Sequence, residues 1–479
     1  MSGSVQTGTQ SARGGIDTEK HWRVVGTVCV GAFMAAVDAS IVNVALPTIE
    51  NQFGLSLAQV AWVSLIYLLV LAGLIVPFGR LSDMYGRKWM YTTGFGIFIL
   101  GSALCGFAMN IVFLLVARGI QAVGASLLQA NSISIITANT PSYHRGKAIG
   151  FQASAQGIGL SIGPAVGGLI LSGLSWRWIF FVNVPVGILG TVLGVFLLPK
   201  DHSAGAKERF DFMGGISLTP AVVALIYLLN AGFKNGIHLN IVLPLLALTF
   251  VFLSLFIWIE SRSENPLMDL RLFRNSVVTH GVIGGVLSFA VMYAVIFLMP
   301  FFFERVQYLS TFASGLYLCV IPLGMTLSTP FSGAVTDKFG WRLPTSLGMA
   351  LAMAGSLALA NTGGSLSQLL LLSGLFLVGT GLGVYTPPNN SSVMGAVGAK
   401  SLGVAGGMLN MARTLGMSFG VTLGGLFYES FLSLQGQQEE TKATVEQMIR
   451  SYHNSFYAVL VLAAIPFLMA VWPKSKKTK

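Results

Sequence analysis

Long apolar runs dominate this sequence and leave few folds open to it. Fourteen runs of 18 to 28 residues follow one another along the chain, and an α-helix of about 20 residues is enough to cross the hydrocarbon core of a bilayer. Only 9% of the 479 residues are charged, whereas a soluble domain carries about 25%. The sequence therefore predicts an all-α integral membrane protein with fourteen transmembrane helices. The predicted spans are residues 22–47, 58–79, 89–108, 111–138, 147–172, 177–198, 212–231, 240–260, 277–302, 310–332, 344–361, 366–388, 402–428 and 453–472.

The basic residues predict how the chain is oriented. With the N-terminus placed in the cytoplasm, 21 of the 28 lysines and arginines fall in cytoplasmic segments and five in external ones. Because cytoplasmic loops carry an excess of basic residues, we expect both termini in the cytoplasm and the chain in the cell membrane. The net charge of +11 then indicates contact with anionic lipid headgroups rather than with nucleic acid. Residues 1–20 are polar and predicted to be a disordered tail.

A pattern of glycines occurs twice at the same spacing. Its first copy lies in span 5 and its second in span 13, 257 residues later. In a bilayer, small residues allow two helix backbones to approach closely, so both copies predict close helix packing. The first copy comprises Gly150, Gly159, Gly163, Gly167 and Gly168, with Pro164 inside it, and the second comprises Gly407, Gly416, Gly420, Gly424 and Gly425.

A second pattern repeats at nearly the same offset. The loop GRLSDMYGRK follows span 2, and GAVTDKFGWR follows span 10, 254 residues later. Two unrelated patterns with almost one offset indicate a duplicated bundle rather than a chance recurrence of glycines. We therefore predict an N-terminal six-helix bundle at 21–198 and a C-terminal six-helix bundle at 276–473. The insert at 199–275 holds spans 7 and 8, and residues 474–479 form a basic tail.

The motifs resemble those of a known transporter family. In order along the chain they are DASIVNVALP at 38–47, GRLSDMYGRK at 79–88, RGIQAVGA at 118–125, the glycine pattern with Gly163 and Pro164, WRWIFFVNVPVG at 176–187 and NPLMDLRLFRN at 265–275. In this order the chain resembles a fourteen-helix drug:proton antiporter of the major facilitator superfamily over residues 20–475. The resemblance implies the major facilitator fold, protons as the coupling ion and a chain that acts as a monomer.

Asp38 is the first candidate for a functional residue. It lies past the middle of span 1, whereas nearly all other acidic residues fall in loops, tails or helix ends. An ionisable side chain within a membrane is costly and usually functional; the alternative is a structural hydrogen bond near the external surface. The resemblance assigns this position to proton coupling, to recognition of a cation or to both.

Arg118 in span 4 is the second candidate. A buried guanidinium needs a counter-charge or several carbonyl oxygens; the alternative is a side chain that extends to the nearby membrane surface. The resemblance associates this arginine with proton coupling. Gln121, one turn later, shares the same helix face and is predicted to line the same cavity.

The two repeated loops are interpreted as a conformational latch. Their acidic and basic side chains can pair on the cytoplasmic face and hold the halves together in one state; the alternative is that the basic residues only follow the positive-inside rule. The glycine pattern is predicted to place span 5 at the interface of the halves. For the version with Pro164, the resemblance implies export by antiport, and ordinary tight packing is the alternative. The latch residues are Gly79, Asp83, Gly86, Arg87, Lys88, Asp337 and Arg342.

The expected cavity between the halves is asymmetric. Asp38 and Arg118 have no charged counterparts in the second half, whose apolar and aromatic residues suit contact with a lipophilic cation. For any single one of these residues, core packing or lipid contact is the alternative. Arg413 occupies the repeat position of Gln156. The candidate cavity residues are Tyr67, Gln121, Phe289, Met292, Tyr293, Phe297, Tyr317 and Arg413.

These features predict a transporter rather than an enzyme. We expect a proton to enter as a hydrophobic, cationic compound leaves, by alternating access around a cavity near the midplane. The sequence has no GxxxxGK[ST] phosphate loop, and its three cysteines lie within spans, so no cofactor or metal is expected. The alternatives are a dedicated exporter of one metabolite, lipid or siderophore, and a non-transporting sensor or scaffold.

Overall fold

Long α-helices make up almost all of the described chain. The computed structural model describes residues 18–141, 144–199, 217, 220–221, 223–225, 227–228, 239–262, 270–362, 367–397, 402–436 and 443–471, and these contain no β-strand. The helices are α1 Thr18–Phe53, α2 Leu57–Tyr85, α3 Arg87–Gly106, α4 Ile111–Asn139, α5 Arg145–Gly173, α6 Trp178–Phe181, α7 Asn183–Leu197, α8 Leu239–Arg262, α9 Ser276–Arg305, α10 Thr311–Leu318, α11 Val320–Phe339, α12 Arg342–Ala360, α13 Ser367–Gly395, α14 Leu402–Ser433 and α15 Val445–Val471.

Most of the predicted spans are present as helices. Within the described residues, twelve helical stretches are long and apolar enough to cross a membrane. The pairs α6 with α7 and α10 with α11 each form one such stretch. Predicted span 13 is the glycine-rich helix α14, 32 residues long, which is not among the twelve. Predicted span 7, at 212–231, lies mostly outside the described residues, as do the two predicted tails.

The helices pack most extensively within their own half of the chain. α1 packs along α5 and α3 along α4, while α9 packs along α14 and α12 along α13. We call α1–α7 the N-bundle and α9–α15 the C-bundle. They touch mainly through α2 on α14 and through α5 on α10 and α11. The exact borders of the insert at 199–275 remain predictions, because residues 200–216 and 263–269 lie outside the described chain.

The repeated glycines pack equivalent helix pairs in the two bundles. A Cβ at Gly159 would lie 2.7 Å from the carbonyl oxygen of Phe33 in α1, and a Cβ at Gly420 would lie 2.8 Å from Cβ of Tyr293 in α9. Both distances are shorter than real contacts of a Cβ atom, so glycine is what lets α5 approach α1 and α14 approach α9 this closely. Gly168 instead faces the backbone of α10, in the C-bundle.

The rest of the first glycine copy follows the same division. Gly163 and Gly167 face side chains of α1. Pro164 lies inside α5, which continues past it, and its carbonyl oxygen faces Gly315 of α10. The helix therefore does lie between the bundles, but three of its glycines serve packing within the N-bundle.

Replacing Gly159 by alanine is expected to destabilise the protein. The added Cβ must displace α1 or α5, and overpacking of this kind costs about 1–3 kcal/mol. The melting temperature of the purified protein measures the effect. Gly150→Ala is the matched control, because no atom lies within 4 Å of its added Cβ. If the two variants have the same melting temperature, the close approach of α5 to α1 does not contribute to the stability of the protein.

Candidate functional site

A cluster of polar side chains lies buried inside the N-bundle. Asp38 of α1 and Arg118 of α4 form an ion pair with Nη1 2.7 Å from Oδ2, and their side chains are 0% and 1% exposed. Gln121 Nε2 donates a hydrogen bond to Asp38 Oδ1 at 2.8 Å, and Asn183 Nδ2 of α7 donates to the same oxygen at 2.9 Å. Three donors from two other helices therefore surround the Asp38 carboxylate.

Arg118 has further partners besides Asp38. Its Nε donates to the carbonyl oxygen of Val63 in α2 at 3.1 Å, and its Nη1 also donates to Gln121 Oε1 at 2.5 Å. The guanidinium lies 4.3 Å from the centroid of the Tyr67 ring, a distance at which the ring attracts a cation. The structure thus supplies both the counter-charge and the carbonyl partner that a buried arginine needs.

This cluster unites residues that the sequence suggested separately and adds one that it did not. Asp38, Arg118, Gln121 and Tyr67 were candidates for a functional site, and the structure places all four together. Asn183 was missed, although it lies in the motif at 176–187. The available signal was an amide side chain within an otherwise apolar run.

A small cavity lies between the two bundles. Its volume is about 20 Å³, enough for about one water molecule, so the bundles must separate before a larger compound can enter. Tyr293 and Met292, both predicted to line a cavity, lie on its wall. The lining residues are Ser40, Asn43, Leu160 and Pro164 from the N-bundle and Met292, Tyr293, Ile296, Leu318, Pro322 and Met325 from the C-bundle. Asp38 is not among them.

Three of the other aromatic candidates lie in helix packing rather than on this cavity. Phe289 packs its Cβ against Gly416 of α14, and the Phe297 ring lies 5.5 Å from that of Phe301. The Tyr317 hydroxyl accepts a hydrogen bond from Gln368 Nε2 at 2.8 Å. None of the three is among the described residues that line the cavity.

Arg413 of α14 connects the two bundles. Its Nη1 donates to Gln156 Oε1 of α5 at 3.1 Å, and its Nη2 donates to Gln129 Oε1 of α4 at 2.9 Å. Gln156 is the residue that the repeat makes equivalent to Arg413, 257 positions earlier. The bond between Arg413 and Gln156 therefore joins two positions that correspond to each other in the two halves.

A second set of bonds closes the interface near the ends of α1 and α9. We call this end of the molecule, where α1 stops, the distal face. Glu50 forms an ion pair with Arg305, 255 positions later, and Glu429 Oε1 of α14 accepts a hydrogen bond from the Ala58 N–H of α2 at 3.2 Å. Sequence reasoning missed these residues. The available signal was that Glu50 and Arg305 carry opposite charges at nearly the repeat offset.

Breaking the Glu50–Arg305 pair is expected to open the distal face. In a cysteine-free background, Asn43→Cys places a thiol on the cavity wall, and Glu50→Arg should speed its labelling by a water-soluble maleimide. A tenfold increase in the labelling rate corresponds to a decrease of about 1.4 kcal/mol in the free energy needed to separate the bundles. The charge swap Glu50→Arg with Arg305→Glu should restore slow labelling. Equal rates in the parent and the single variant would contradict a closing role for this pair.

Three glycines of the predicted latch loops are described, but the side chains of the two acids are not. The side chains of Asp83 and Asp337 lie outside the described residues, so pairing through them remains a prediction. Gly86 and Gly340 adopt φ values of 102° and 74°, in a region that favours glycine. Gly79 lies within α2 with open space around it. Gly86 thus forms the sharp turn between α2 and α3, and Gly340 forms the one between α11 and α12.

Two basic residues of these loops, Lys88 and Arg342, have contacts within the described chain. Lys88 Nζ donates to the carbonyl oxygens of Val195 and Leu198 at 2.7 and 2.6 Å, at the end of α7. Its charge thus lies where a helix C-terminus attracts a cation. Arg87 begins α3 and Arg342 begins α12, and the Arg342 guanidinium lies 5.4 Å from the centroid of the neighbouring tryptophan ring.

The described helices form a multi-pass bundle with a small cavity between two packed halves. A sequence model of the Major Facilitator Superfamily matches residues 28–421. The chain therefore belongs to the Major Facilitator Superfamily, and it is a multi-pass membrane transporter rather than an enzyme.

Named relatives include proteins with different cargo. The chain is 33% identical over 463 residues to the riboflavin transporter RibZ of Clostridioides difficile (strain 630), covering 96% of this chain and 99% of that protein. It is 33% identical over 405 residues to the multidrug resistance protein Stp of Mycobacterium tuberculosis (strain CDC 1551 / Oshkosh), covering 84% and 75%. The multidrug transporter protein MdtP of Bacillus subtilis (strain 168) is 28% identical over 406 residues, covering 84% and 74%.

A solved structure supports the fold. It is that of a bacterial homologue of the human lysosomal transporter Spinster, in an inward-facing and occupied conformation. The match has a TM-score of 0.66 at 17% identity and covers 93% of this chain and 95% of that one. At this identity the likeness concerns the fold alone.

Proposed function

We propose that this chain is a proton-coupled secondary active exporter of hydrophobic compounds. It acts as a monomer in the cell membrane, with both termini in the cytoplasm, and uses protons as its only coupling ion without a cofactor. The observation that carries the proposal is the Asp38–Arg118 ion pair, buried within a membrane-spanning bundle. An ionisable pair is costly at such a position and is typical of proton relays. The relatives named for multidrug resistance and multidrug transport support drug-like compounds as cargo.

The cluster offers a route from protonation to movement of the bundles. A proton on Asp38 removes the counter-charge of Arg118 and weakens the bonds that join α1 to α4 and α7. Arg118 also holds the backbone of α2 through Val63, and α2 packs on α14 of the C-bundle. Protonation therefore biases the contact between the bundles, which is what alternating access requires.

The geometry supports a proton-binding role for Asp38 better than direct contact with a cation. Three hydrogen-bond donors already occupy the carboxylate, and the side chain is not on the cavity between the bundles. The hydrophobic character of the cargo draws support from the apolar lining of that cavity. The positive charge that the sequence suggested for the cargo has no such support.

Reconstitution into liposomes tests the proposal. Liposomes that contain the protein and a luminal pH indicator receive a panel of hydrophobic cations, neutral compounds and acids from outside. If cargo enters in exchange for protons, the luminal pH rises, because protons leave as cargo enters. Protein-free liposomes control for passive diffusion. A flux of cargo with no change in luminal pH would contradict proton coupling, and a fall in pH would indicate symport.

A second candidate function is transport of one heteroaromatic metabolite. It is favoured by the riboflavin transporter RibZ, which matches this chain over nearly the full length of both proteins. Riboflavin is therefore part of the panel. A response to riboflavin alone would replace the multidrug proposal by this one.

A further inference from the structure

Arg413 brings an uncompensated positive charge to the interface between the bundles. It donates to two neutral amide oxygens, and its Nε is buried without a hydrogen-bond acceptor. Among the described residues, no carboxylate lies within ion-pair distance of it. A cation inside a membrane is costly unless it is paired. Arg413 thus has a charge without a counter-charge and one buried donor without an acceptor among the described residues.

The position of Arg413 puts this charge beside the cavity. Its partner Gln156 lies one helical turn before Leu160, which is on the cavity wall, and residues four apart share a helix face. Tyr293, also on the wall, is close enough to Arg413 to interact with it electrostatically. A compound in an enlarged cavity would therefore reach the guanidinium without leaving the interface.

The surroundings favour an aromatic compound. Tyr293 and Met292 offer a ring and a thioether to a flat apolar ligand. Tyr67, a second electrostatic neighbour of Arg413, is 1% exposed, and its hydroxyl is buried without a hydrogen-bond partner. Besides the mainly apolar cavity wall, the region thus holds two buried polar groups without hydrogen-bond partners, the Tyr67 hydroxyl and Arg413 Nε.

We propose that Arg413 binds the cargo directly and that the cargo is an aromatic compound with a carboxylate group. A guanidinium binds a carboxylate through two parallel hydrogen bonds, which are stronger than its bonds to the neutral oxygens of Gln156 and Gln129. When the carboxylate takes their place, the link between the bundles is released at this point. Cargo binding and separation of the bundles are then one event. The inference rests on the proposed function and names the cargo class of the same interface.

A matched pair of ligands tests this inference. The probes are a xanthene dye with a free carboxylate and the methyl ester of the same dye, and the readout is their dissociation constants for the purified protein. The protein should bind the acid about tenfold more tightly than the ester. Arg413→Gln should remove that preference, and Arg413→Lys should keep part of it. Arg450→Gln is the control, since Arg450 forms an exposed pair within α15 and should leave both constants unchanged.

The glutamines separate a cargo-binding role from a purely structural one. If Arg413 only joins the bundles, Gln156→Met with Gln129→Met should act like Arg413→Gln. If Arg413 binds cargo, that double variant keeps the preference for the acid. Equal binding of acid and ester by the unaltered protein would overturn the inference, and so would a preference that survives in folded Arg413→Gln. Proton-coupled flux of the ester alone would overturn it and leave the proposed function standing. Binding that favours the acid without proton-coupled flux would overturn the proposed function alone.

Discussion

Asp38→Asn is expected to abolish proton-driven transport while the protein still folds and inserts. The amide has nearly the same size as the carboxylate, and its oxygen can accept the hydrogen bonds from Gln121 and Asn183. Arg118 loses its counter-charge but keeps the carbonyl of Val63. What the amide cannot do is take up and release a proton. In liposomes with a pH gradient, accumulation of cargo should fall to the level of protein-free liposomes.

Counterflow separates a loss of coupling from a loss of binding. With equal pH on both sides, exchange of labelled for unlabelled cargo needs no net proton movement, so Asp38→Asn should retain it. Glu446→Gln makes the same chemical change in an exposed pair, where little interaction energy is at stake, and should transport normally. Uphill accumulation by Asp38→Asn at the normal rate would refute the assignment of the proton site.

Arg118→Gln is expected to destabilise the protein more than Asp38→Asn does. It leaves the Asp38 carboxylate buried without a counter-charge, and breaking a buried pair in this way costs about 3–5 kcal/mol. The purified variant should melt at a lower temperature and accumulate no cargo against a gradient. Combining it with Asp38→Asn removes the unpaired charge and should recover part of the lost stability, although not the transport.

The double variant also shows whether the contact between Asp38 and Arg118 contributes to stability. Residues that share one network show non-additive free energies of unfolding, whereas independent residues add. If the double variant is destabilised by the sum of the two single effects, the contact between Asp38 and Arg118 does not contribute to stability. Denaturation in detergent, followed by intrinsic fluorescence, gives the three values.

The sequence was most informative where a polar residue interrupts an apolar run. Asp38, Arg118 and Gln121 stood out in this way, because each is costly in a bilayer without a partner, and the structure makes them partners of one another. The helical spans could be predicted from the length and apolar composition of the runs themselves. Span 7 is the exception, since most of it lies outside the described residues.

The sequence was less informative about which face of each helix meets the cavity and about contacts between distant residues. A membrane helix is apolar on nearly all sides, so its pattern does not tell which face meets the cavity. Phe289, Phe297 and Tyr317 therefore looked as suitable as Tyr293, yet only Tyr293 of these four lies on the cavity wall. Bonds between the bundles were harder still, because they join positions more than 250 residues apart.

One of those bonds joins equivalent positions of the duplication, Gln156 with Arg413. Positions that meet their own counterparts lie on the axis that relates the two halves, as in a symmetric dimer. In a pair of identical subunits, this position would face a copy of itself, and two arginines would repel each other. A bond from an arginine to an amide across the axis thus requires halves that can mutate separately, and joining both in one polypeptide provides this freedom.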